Sequence, residues 1–320
     1  MRQSTPLGPA YKIAGIDVSK ARLDMHWLAD GTDHGFSNDD DGHRQLLAWL
    51  KRHQPDRVAF EATGAYHRAL EKALKSEGVA YAKLNPWQVR RFADALGQHA
   101  KTDRLDAAHL ARYAALLQPE ATRPKSQALD DLAELRRARQ ALVKDQTAAL
   151  NRQKTLTLST LKDQGERRLQ QIAQDIADID GACRALIKSE TRLAGDFDIL
   201  TSIPGIGAVS AIAMLAELPE LGTLNAKQLA SLAGLAPYTR QSGQWKGHSF
   251  IGKGRANIKR GLYMPTLVAI THNPVFRETY RRLTDAGKPA KVAIIAAMRK
   301  ILITANALIR DQRKWALERP

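Results

Sequence analysis

The sequence predicts an α/β domain, then a long helical hairpin of the coiled-coil type, then a mainly helical C-terminal domain. Short β-rich runs alternate with helical patterns up to about Leu117. Farther along, apolar residues recur at steps of three and four, and after residue 200 a Pro-Gly turn leads into apolar helices. We therefore divide the chain into regions 1–120, 121–200 and 201–320.

The first region is expected to contain a mixed β-sheet. Its β-rich runs are, in order, "YKIAGIDVS", "RLDMHWLAD", "HGFSN", "DRVAFEAT" and "VAYAKL". Helical patterns lie around 45–52 and between the last two runs. Three adjacent strands followed by alternating helices and strands are typical of a layered α/β fold. The next segment, "QPEATRPKSQ", has two prolines and no periodicity, which predicts a linker.

The second region carries a regular apolar seam. Its positions are Leu169, Ile172, Ile176, Ile179, Cys183, Leu186, Glu190, Leu193, Phe197 and Leu200. Only Glu190 interrupts the a/d pattern of a coiled coil. A preceding helix over 129–161 and a turn at "DQGE" predict a hairpin that packs on itself or on a second subunit. Cys183 is then a small core residue.

The third region begins with "LTSIPGIGAVSAIAMLAEL", where Pro204, Gly205 and Gly207 interrupt the helical pattern. Glycines between two helices let backbone N–H groups approach a phosphate at the N-terminus of the second helix. The pattern therefore fits a helix-hairpin-helix-like DNA-binding element, and it fits a tight interhelical turn equally well. Near the C-terminus, "KVAIIAAMRKILITANALIRDQRKW" predicts a helix that closes the domain core.

The charge balance points to a polyanionic partner. The 320 residues include 49 Lys and Arg against 33 Asp and Glu, which gives a formal charge of +16. Nucleic acid is the first expectation for such a chain and an anionic membrane surface the second. No apolar run approaches a membrane span of about 18 residues, and the start lacks a secretory signal, so we expect a cytoplasmic protein without membrane association.

Four acidic residues are candidates for a metal site. Asp17 and Glu61 end apolar runs, where strands of α/β sheets place their sites, and Asp103 and Asp106 would share one helix face. Mg²⁺ prefers such hard oxygen ligands, and paired divalent ions promote phosphodiester cleavage. Taken singly, each acid could be a solvated or capping residue. His109, three residues past Asp106, is expected to lie on the surface; the alternative is a residue that supports the metal-binding acids.

A basic, glycine-rich segment surrounds a serine. The stretch "QSGQWKGHSFIGKGRANIKRG" begins at Gln241, and residues 237–264 contain no acidic residue. The candidate phosphate contacts are Arg240, Lys246, Lys253, Arg255, Lys259 and Arg260. In the first region, Trp87 beside Arg90 and Arg91 suits stacking on nucleotides. The plainer interpretation of Ser242 is a Ser-Gly turn in a basic surface loop.

Five motifs together resemble the DEDD transposases of insertion sequences, which are bridge-RNA-guided recombinases related to the Piv invertase. They are "AGIDVSK", "FEATGAYH", "HAKTDRLDAAHLARY", "IPGIGAVSA" and "SGQWKGHSFIGKGRANIKRGLYM". The resemblance implies a RuvC-like domain of the ribonuclease H fold and a C-terminal transposase domain. In that family the four acids match Asp17, Glu61, Asp103 and Asp106, which would bind Mg²⁺ or Mn²⁺.

The resemblance also implies a nucleophile and partners. The family's catalytic serine falls on Ser242, which would form a covalent phosphoserine link to DNA; Ser249 is the nearby competitor. The partners would be the DNA of element ends and targets, a guide (bridge) RNA, and further copies of the chain in a dimer or tetramer. The alternative function is a junction-resolving, metal-dependent nuclease in which water attacks. A purely architectural DNA-binding protein would leave the four acids unexplained.

Overall fold

The computed structural model describes residues 11–62, 64–97, 103–122, 126–239 and 241–316. Within these ranges, the side chains of residues 103, 104, 245 and 246 are not described. The chain forms two compact units, residues 1–124 and 125–320. The predicted regions 121–200 and 201–320 thus fall almost entirely in the second unit.

The first unit is built on a five-stranded mixed sheet, as predicted. The strands are β1 (Ile13–Val18), β2 (Arg22–Trp27), β3 (Thr32–Ser37), β4 (Arg57–Glu61) and β5 (Tyr81–Leu84). Their order is β3-β2-β1-β4-β5. The pairs β1–β2 and β2–β3 are antiparallel, whereas β1–β4 and β4–β5 are parallel. The carboxyl ends of β1, β4 and β5 therefore meet at one edge.

Helices cover both faces of this sheet. They are α1 (Asp40–His53), α2 (His67–Ser76), α3 (Pro86–Ala95) and α4 (Asp103–Leu117). Helix α1 begins earlier than the predicted position 45 because Asp39 accepts a hydrogen bond from the N–H of Gly42 at 2.9 Å and caps the helix. Residues of α1 and α2 pack with β-strand residues in one core, and residues of α3 and α4 pack on the opposite face in another.

The segment that leaves α4 runs along the outer edge of β5. The N–H of Thr122 donates to the carbonyl of Tyr81 at 2.7 Å, and the Thr122 hydroxyl accepts from the N–H of Lys83 at 2.9 Å. The Arg57 guanidinium donates to the carbonyl of Pro119. The first half of the predicted linker is therefore hydrogen-bonded to the sheet.

The second unit is mainly helical, as predicted. Its helices are α5 (Gln127–Gln153), α6 (Ser159–Ser189), α7 (Thr191–Ser202), α8 (Ala208–Glu217), α9 (Ala226–Leu232), α10 (Ala256–His272), α11 (Pro274–Asp285) and α12 (Ala290–Arg310). Two short strand pairs interrupt them: β6 (Pro237–Tyr238) with β9 (Phe250–Ile251), and β7 (Gln241–Ser242) with β8 (Trp245–Lys246).

The hairpin of α5 and α6 turns earlier than predicted. The turn lies at residues 154–158, whereas the predicted "DQGE" turn, residues 163–166, is inside α6. Gly165 faces the side chain of Gln153 in α5, since a Cβ there would lie 1.9 Å from its Oε1. Gln153 also donates to the carbonyl of Lys162 at 2.9 Å, which closes the hairpin.

One core connects the hairpin with the helices that follow it. Leu132 of α5, Cys183 of α6 and Leu302 of α12 are fully buried members of the same cluster. Burial raises the pKa of the Cys183 thiol, and the prediction of a core cysteine is confirmed. The seam is interrupted at Glu190, as the sequence predicts, because α6 ends one residue before it and α7 begins one residue after it.

Helix α12 corrects one expectation. It is long and apolar enough to cross a membrane, although the sequence analysis found no such run. Ten of its residues are buried in the structure, among them Ile301, Leu302 and Ala305. The helix therefore has the burial of a core helix, which explains its apolar composition.

Asp196 of α7 is a buried carboxylate whose neutralisation should stabilise the protein. It is 7% exposed, and burial raises its pKa above the ordinary 3.8. Its ionised form therefore opposes folding at pH 7, and this penalty disappears as the pH falls through the folded-state pKa. Asp196→Asn keeps an acceptor for Gln312, which donates to Asp196 at 3.2 Å. We expect an increase in unfolding free energy of about 1 kcal/mol at pH 7, measured by urea unfolding.

The control is Asp198→Asn on the same helix, because the Asp198 side chain is 62% exposed beside Lys314. Its effect should be small at every pH. The gain from Asp196→Asn should decline as the pH falls through the folded-state pKa and vanish below the ordinary 3.8. Equal stability of wild type and Asp196→Asn at pH 7 would refute the prediction.

Candidate active site

Asp17 and Glu61 end neighbouring parallel strands. The register of β1 and β4 pairs Ile16 with Phe60, and each acid is the next residue of its strand. Neighbouring strands lie about 4.8 Å apart, so the two carboxylate-bearing positions are side by side at the carboxyl edge of the sheet. Both residues are half-buried. The sequence predicts the strand-end position of each acid, and the register shows in addition that the two strands are neighbours.

The two carboxylates also share one face of the sheet. Ile13 and Ala59 pack in the core on the side of α4, whereas Ile16 and Phe60 pack on the side of α1 and α2. Side chains alternate between faces along a strand, so Asp17 and Glu61 continue the face of Ile13 and Ala59. The pair therefore lies on the side of the sheet that α4 covers.

Gly15 brings α4 into contact with this face. A Cβ at Gly15 would lie 2.2 Å from the carbonyl oxygen of Ala107 and 2.5 Å from the N of Ala111. Asp106 is half-buried and immediately precedes Ala107, so the turn that carries it lies beside β1. Asp103 is the first residue of α4, and its side chain is outside the described atoms. The fold thus places Asp17, Glu61 and the first turn of α4 on one side of the sheet.

The donor chemistry of Asp17 and Glu61 fits Mg²⁺ or Mn²⁺. Mg²⁺ is commonly bound by one or two carboxylates together with waters and substrate phosphates, and it does not need a cage of protein ligands. Among the residues with described side chains, no three His, Cys, Asp or Glu gather closely enough to hold an ion on their own. The complete four-acid site, which requires the side chain of Asp103, stays a prediction.

Asp24 is a neighbouring acid that the sequence analysis missed. It lies opposite Asp17 in the β1–β2 register and accepts from Arg22 Nε at 2.8 Å. Arg22 lies over Gly35 of β3, where a Cβ would be 2.2 Å from its Nη2. The strict alternation of "RLDMHW", with Leu23 buried on the other face, is the signal that could have identified Asp24.

His109 is buried, which corrects the expectation of a surface residue. It is 3% exposed, and burial lowers the pKa of its imidazole. Residues 107–111 of α4 are all buried, so this part of the helix has no solvent-exposed side. A helix enclosed on all sides has no apolar stripe from which burial can be predicted.

Ser242 lies on an exposed β-hairpin. It is the last residue of β7 and pairs with Trp245 of β8 across a two-residue turn. Gly243 occupies the first turn position with a φ of 56°, a conformation that favours glycine, and a Cβ there would meet no described atom within 4 Å. Ser249, the competing serine, has its hydroxyl 3.0 Å from that of Thr239.

The predicted phosphate contacts have different environments. Lys253 lies over the ring of Tyr238 at 5.5 Å. Arg260 is exposed and donates to Asn257 at 2.7 Å, and Lys259 is half-buried. The structure does not describe Arg240, nor the side chain of Lys246.

Arg255 has a structural contact that the sequence analysis did not foresee. Its guanidinium makes two 2.7 Å hydrogen bonds to the Glu220 carboxylate and one of 2.6 Å to the carbonyl of Glu217. Next to it, Gly254 packs backbone to backbone on Gly234, because a Cβ on Gly254 would lie 2.3 Å from the Gly234 N. Arg255 thus anchors one end of the basic segment, and its use by a phosphate would require breaking this ion pair.

Trp87 of α3 is an exposed aromatic residue with a cationic neighbour. The residue is 52% exposed, and the Arg91 guanidinium lies 5.5 Å from the ring centroid. Arg90 is also exposed, and Arg91 pairs with Asp94 at 3.5 Å. These contacts suit nucleotide stacking, which stays a prediction.

The turn between α7 and α8 joins two helices directly, which fits both the DNA-binding element and the plain interhelical turn. Gly205 has a φ of 103°, and a Cβ there would lie 2.7 Å from the carbonyl of Pro265 in α10. The glycine is therefore required by conformation and by close packing. Phosphate binding at the N-terminus of α8 stays a prediction.

Comparisons with known proteins identify the family. Residues 14–161 match a transposase profile of the DEDD type of IS110, and residues 197–281 match the profile "Transposase IS116/IS110/IS902 family". Pilin gene-inverting proteins from Moraxella bovis and Moraxella lacunata are each 32% identical over 315 residues, covering 94% of this chain and 96% of theirs. The chain therefore belongs to the IS116/IS110/IS902 family of transposases, enzymes that recombine DNA.

Proposed function

We propose that the protein cuts and rejoins DNA at the ends of an insertion sequence through a covalent bond between DNA and Ser242. The observation that carries this proposal is the placement of Asp17 and Glu61 side by side on the face covered by α4. The strand order β3-β2-β1-β4-β5, in which β2 runs antiparallel to the other four strands, supports a RuvC-like domain of the ribonuclease H fold.

Each chemical step exchanges one phosphodiester for another. The Ser242 hydroxyl loses its proton as its oxygen forms a bond to phosphorus, and the P–O bond to one deoxyribose oxygen breaks. The departing oxygen takes up a proton. A hydroxyl of the second DNA strand then attacks the phosphoserine, which restores a DNA phosphodiester and the serine. Because one ester bond forms for each one that breaks, no nucleotide hydrolysis is needed.

The four acidic residues and the basic residues near Ser242 have distinct roles in this proposal. Asp17, Glu61, Asp103 and Asp106 would hold Mg²⁺ or Mn²⁺, which when bound stabilises negative charge on the attacked phosphate. Lys253, Lys259 and Arg260 would attract and orient the DNA backbone near Ser242. The acids belong to the first unit and Ser242 to the second. We propose that the acids and Ser242 are both required for the same strand exchange.

The partners follow from charge and family. A net charge of +16 favours nucleic acids, and the Moraxella relatives are named pilin gene-inverting proteins. We propose element-end and target DNA as substrates and a bridge RNA as guide, with Trp87, Arg90 and Arg91 as candidate nucleotide contacts.

Exposed Val143 and Leu150, seven residues apart on α5, support assembly of the hairpin into a dimer or tetramer. The protein would act in the cytoplasm.

The proposal predicts a metal-dependent covalent adduct that requires Asp17. Protein is incubated with guide RNA and DNA carrying the element ends, with Mg²⁺ or with EDTA, and resolved on denaturing gels. Asp17→Asn should reduce adduct formation by about 10²-fold or more, because one anionic oxygen ligand becomes a weak neutral donor. Circular dichroism of the variant checks that the loss of adduct does not come from loss of the fold.

The matched control is Asp41→Asn, whose carboxylate lies on α1 with a side chain 64% exposed. It should form adduct at the wild-type rate. An adduct that persists in EDTA, or undiminished in Asp17→Asn, would contradict the metal-dependent mechanism.

A further inference from the structure

Asn38 connects the two loops that follow Asp17 and Glu61. Its side-chain amide nitrogen donates to the carbonyl of Ser19 at 2.7 Å and to the carbonyl of Tyr66 at 3.2 Å. Ser19 is two residues beyond Asp17, in the turn from β1 to β2, and Tyr66 is five residues beyond Glu61, before α2. One side chain thus bridges the segments that leave the two acid-bearing strands.

The register of the sheet explains why Asn38 can reach both loops. Ser37, the last residue of β3, pairs with Arg22 at the start of β2. Leu23, the next residue of β2, pairs with Val18 at the end of β1. Asn38 therefore emerges at the same edge of the sheet as Asp17. Its own N–H donates to the carbonyl of Ala21 at 3.0 Å, which fixes its backbone to the same turn.

A buried histidine orients the amide. Both hydrogens of the amide nitrogen face carbonyl oxygens, so Oδ1 must face Nε2 of His43, which lies 2.9 Å away. An amide oxygen only accepts, so His43 must carry its proton on Nε2. His43 is 5% exposed, and burial lowers the pKa of its imidazole, which favours the neutral ring. The amide therefore has a partner for each of its three groups.

Helix capping does not account for this arrangement. The N-cap of α1 is Asp39, whose carboxylate accepts from the N–H of Gly42. Asn38 precedes the cap, and its side-chain donors are directed to residues 19 and 28 positions away in sequence. These long-range bonds connect the loops that follow the two acid-bearing strands, and they do not terminate a helix.

We infer that Asn38 is a positioning residue, which fixes the separation of Asp17 and Glu61 by holding the loops beyond them. The inference rests on the proposed function, because it concerns the acids that would hold the metal. Hydrogen bonds that orient metal ligands typically change affinity or activity by about 10- to 100-fold when removed. The effect of Asn38 is expected on metal binding more than on folding.

The test compares Asn38→Asp and Asn38→Ala with wild type. Asn38→Asp is nearly isosteric but replaces the double donor with an oxygen that faces two carbonyls, and Asn38→Ala removes all three bonds without adding charge. We expect each to raise the Mn²⁺ or Mg²⁺ concentration that half-saturates adduct formation by about tenfold or more. Each should also reduce the rise in unfolding temperature that the metal causes, a readout independent of activity.

Leu74→Ala is the matched control, because Leu74 is fully buried in the core on the side of α1 and α2. It should lower the unfolding temperature and leave metal half-saturation unchanged when assayed well below unfolding. Asn38 variants that behave like Leu74→Ala would overturn the inference. If wild-type adduct formation does not depend on Mg²⁺ or Mn²⁺, the proposed function fails and the inference with it. A metal-dependent adduct whose half-saturation is unchanged in both Asn38 variants overturns the inference alone.

Discussion

Ser242→Ala is expected to abolish the covalent protein–DNA adduct and to reduce strand exchange by about 10⁴-fold or more, the scale on which enzymes lose rate without their nucleophile. The residue is exposed at the end of β7, and alanine suits the same strand position, so the fold should be unchanged. The measurement is adduct yield on denaturing gels with element-end DNA, Mg²⁺ and guide RNA. Thermal unfolding of the variant should match wild type.

Ser249→Ala provides the comparison, because Ser249 lies in the same basic segment and its hydroxyl contacts Thr239. That variant should still form the adduct. If Ser242→Ala cleaves DNA at the wild-type rate without an adduct, water is the nucleophile and the protein is a metal-dependent nuclease of the junction-resolving type. If Ser249→Ala alone loses the adduct, the nucleophile has been assigned to the wrong serine.

Gly15→Ala is expected to destabilise the first unit by about 3 kcal/mol and to abolish activity. The added Cβ would overlap the backbone of α4 at Ala107 and Ala111, and backbone atoms cannot rotate away as a flexible side chain can. Helix α4 must therefore move off β1, and Asp106 moves with it. Thermal unfolding followed by circular dichroism, together with the adduct assay, would measure both effects.

The control is the same substitution at Gly181 of α6, where a Cβ would meet nothing within 4 Å among the described atoms. Alanine is the better helix former by about 0.5–1 kcal/mol, so Gly181→Ala should stabilise the protein. Gly15→Ala with wild-type stability and activity would show that α4 can retreat from the sheet without cost.

Much of the sheet of the first unit could be predicted from the sequence because two signals agreed at several of its strands. Apolar runs such as "RVAFE" are too short for helices and end in an acid, which indicates both a strand and its carboxyl edge. The placement of Asp17 and Glu61 follows from the rule that carboxyl ends of parallel strands share an edge. Local pattern and chain topology were therefore sufficient there.

The remaining features depend on contacts between residues distant in sequence. From the sequence, Gly165 resembles a turn residue. In the structure it lies inside α6, next to the side chain of Gln153 in α5. Arg255 resembles its exposed basic neighbours, but its partner Glu220 is 35 residues away. Asn38 belongs to no recognisable motif, because its role depends on hydrogen bonds to the carbonyls of Ser19 and Tyr66, which are distant in sequence. Periodicity describes one element at a time and gives no information on such pairs.

The hydrogen bonds of Thr122 with Tyr81 and Lys83 have a consequence for protein solubility. An uncovered outer strand offers unpaired N–H and C=O groups to other chains and promotes aggregation. In this protein the segment leaving α4 forms hydrogen bonds with those groups on β5. The same segment therefore prevents another strand from adding to this edge of the sheet. A fragment meant to represent the first unit should therefore extend through Thr122, because one cut at Leu117 would uncover the edge of β5.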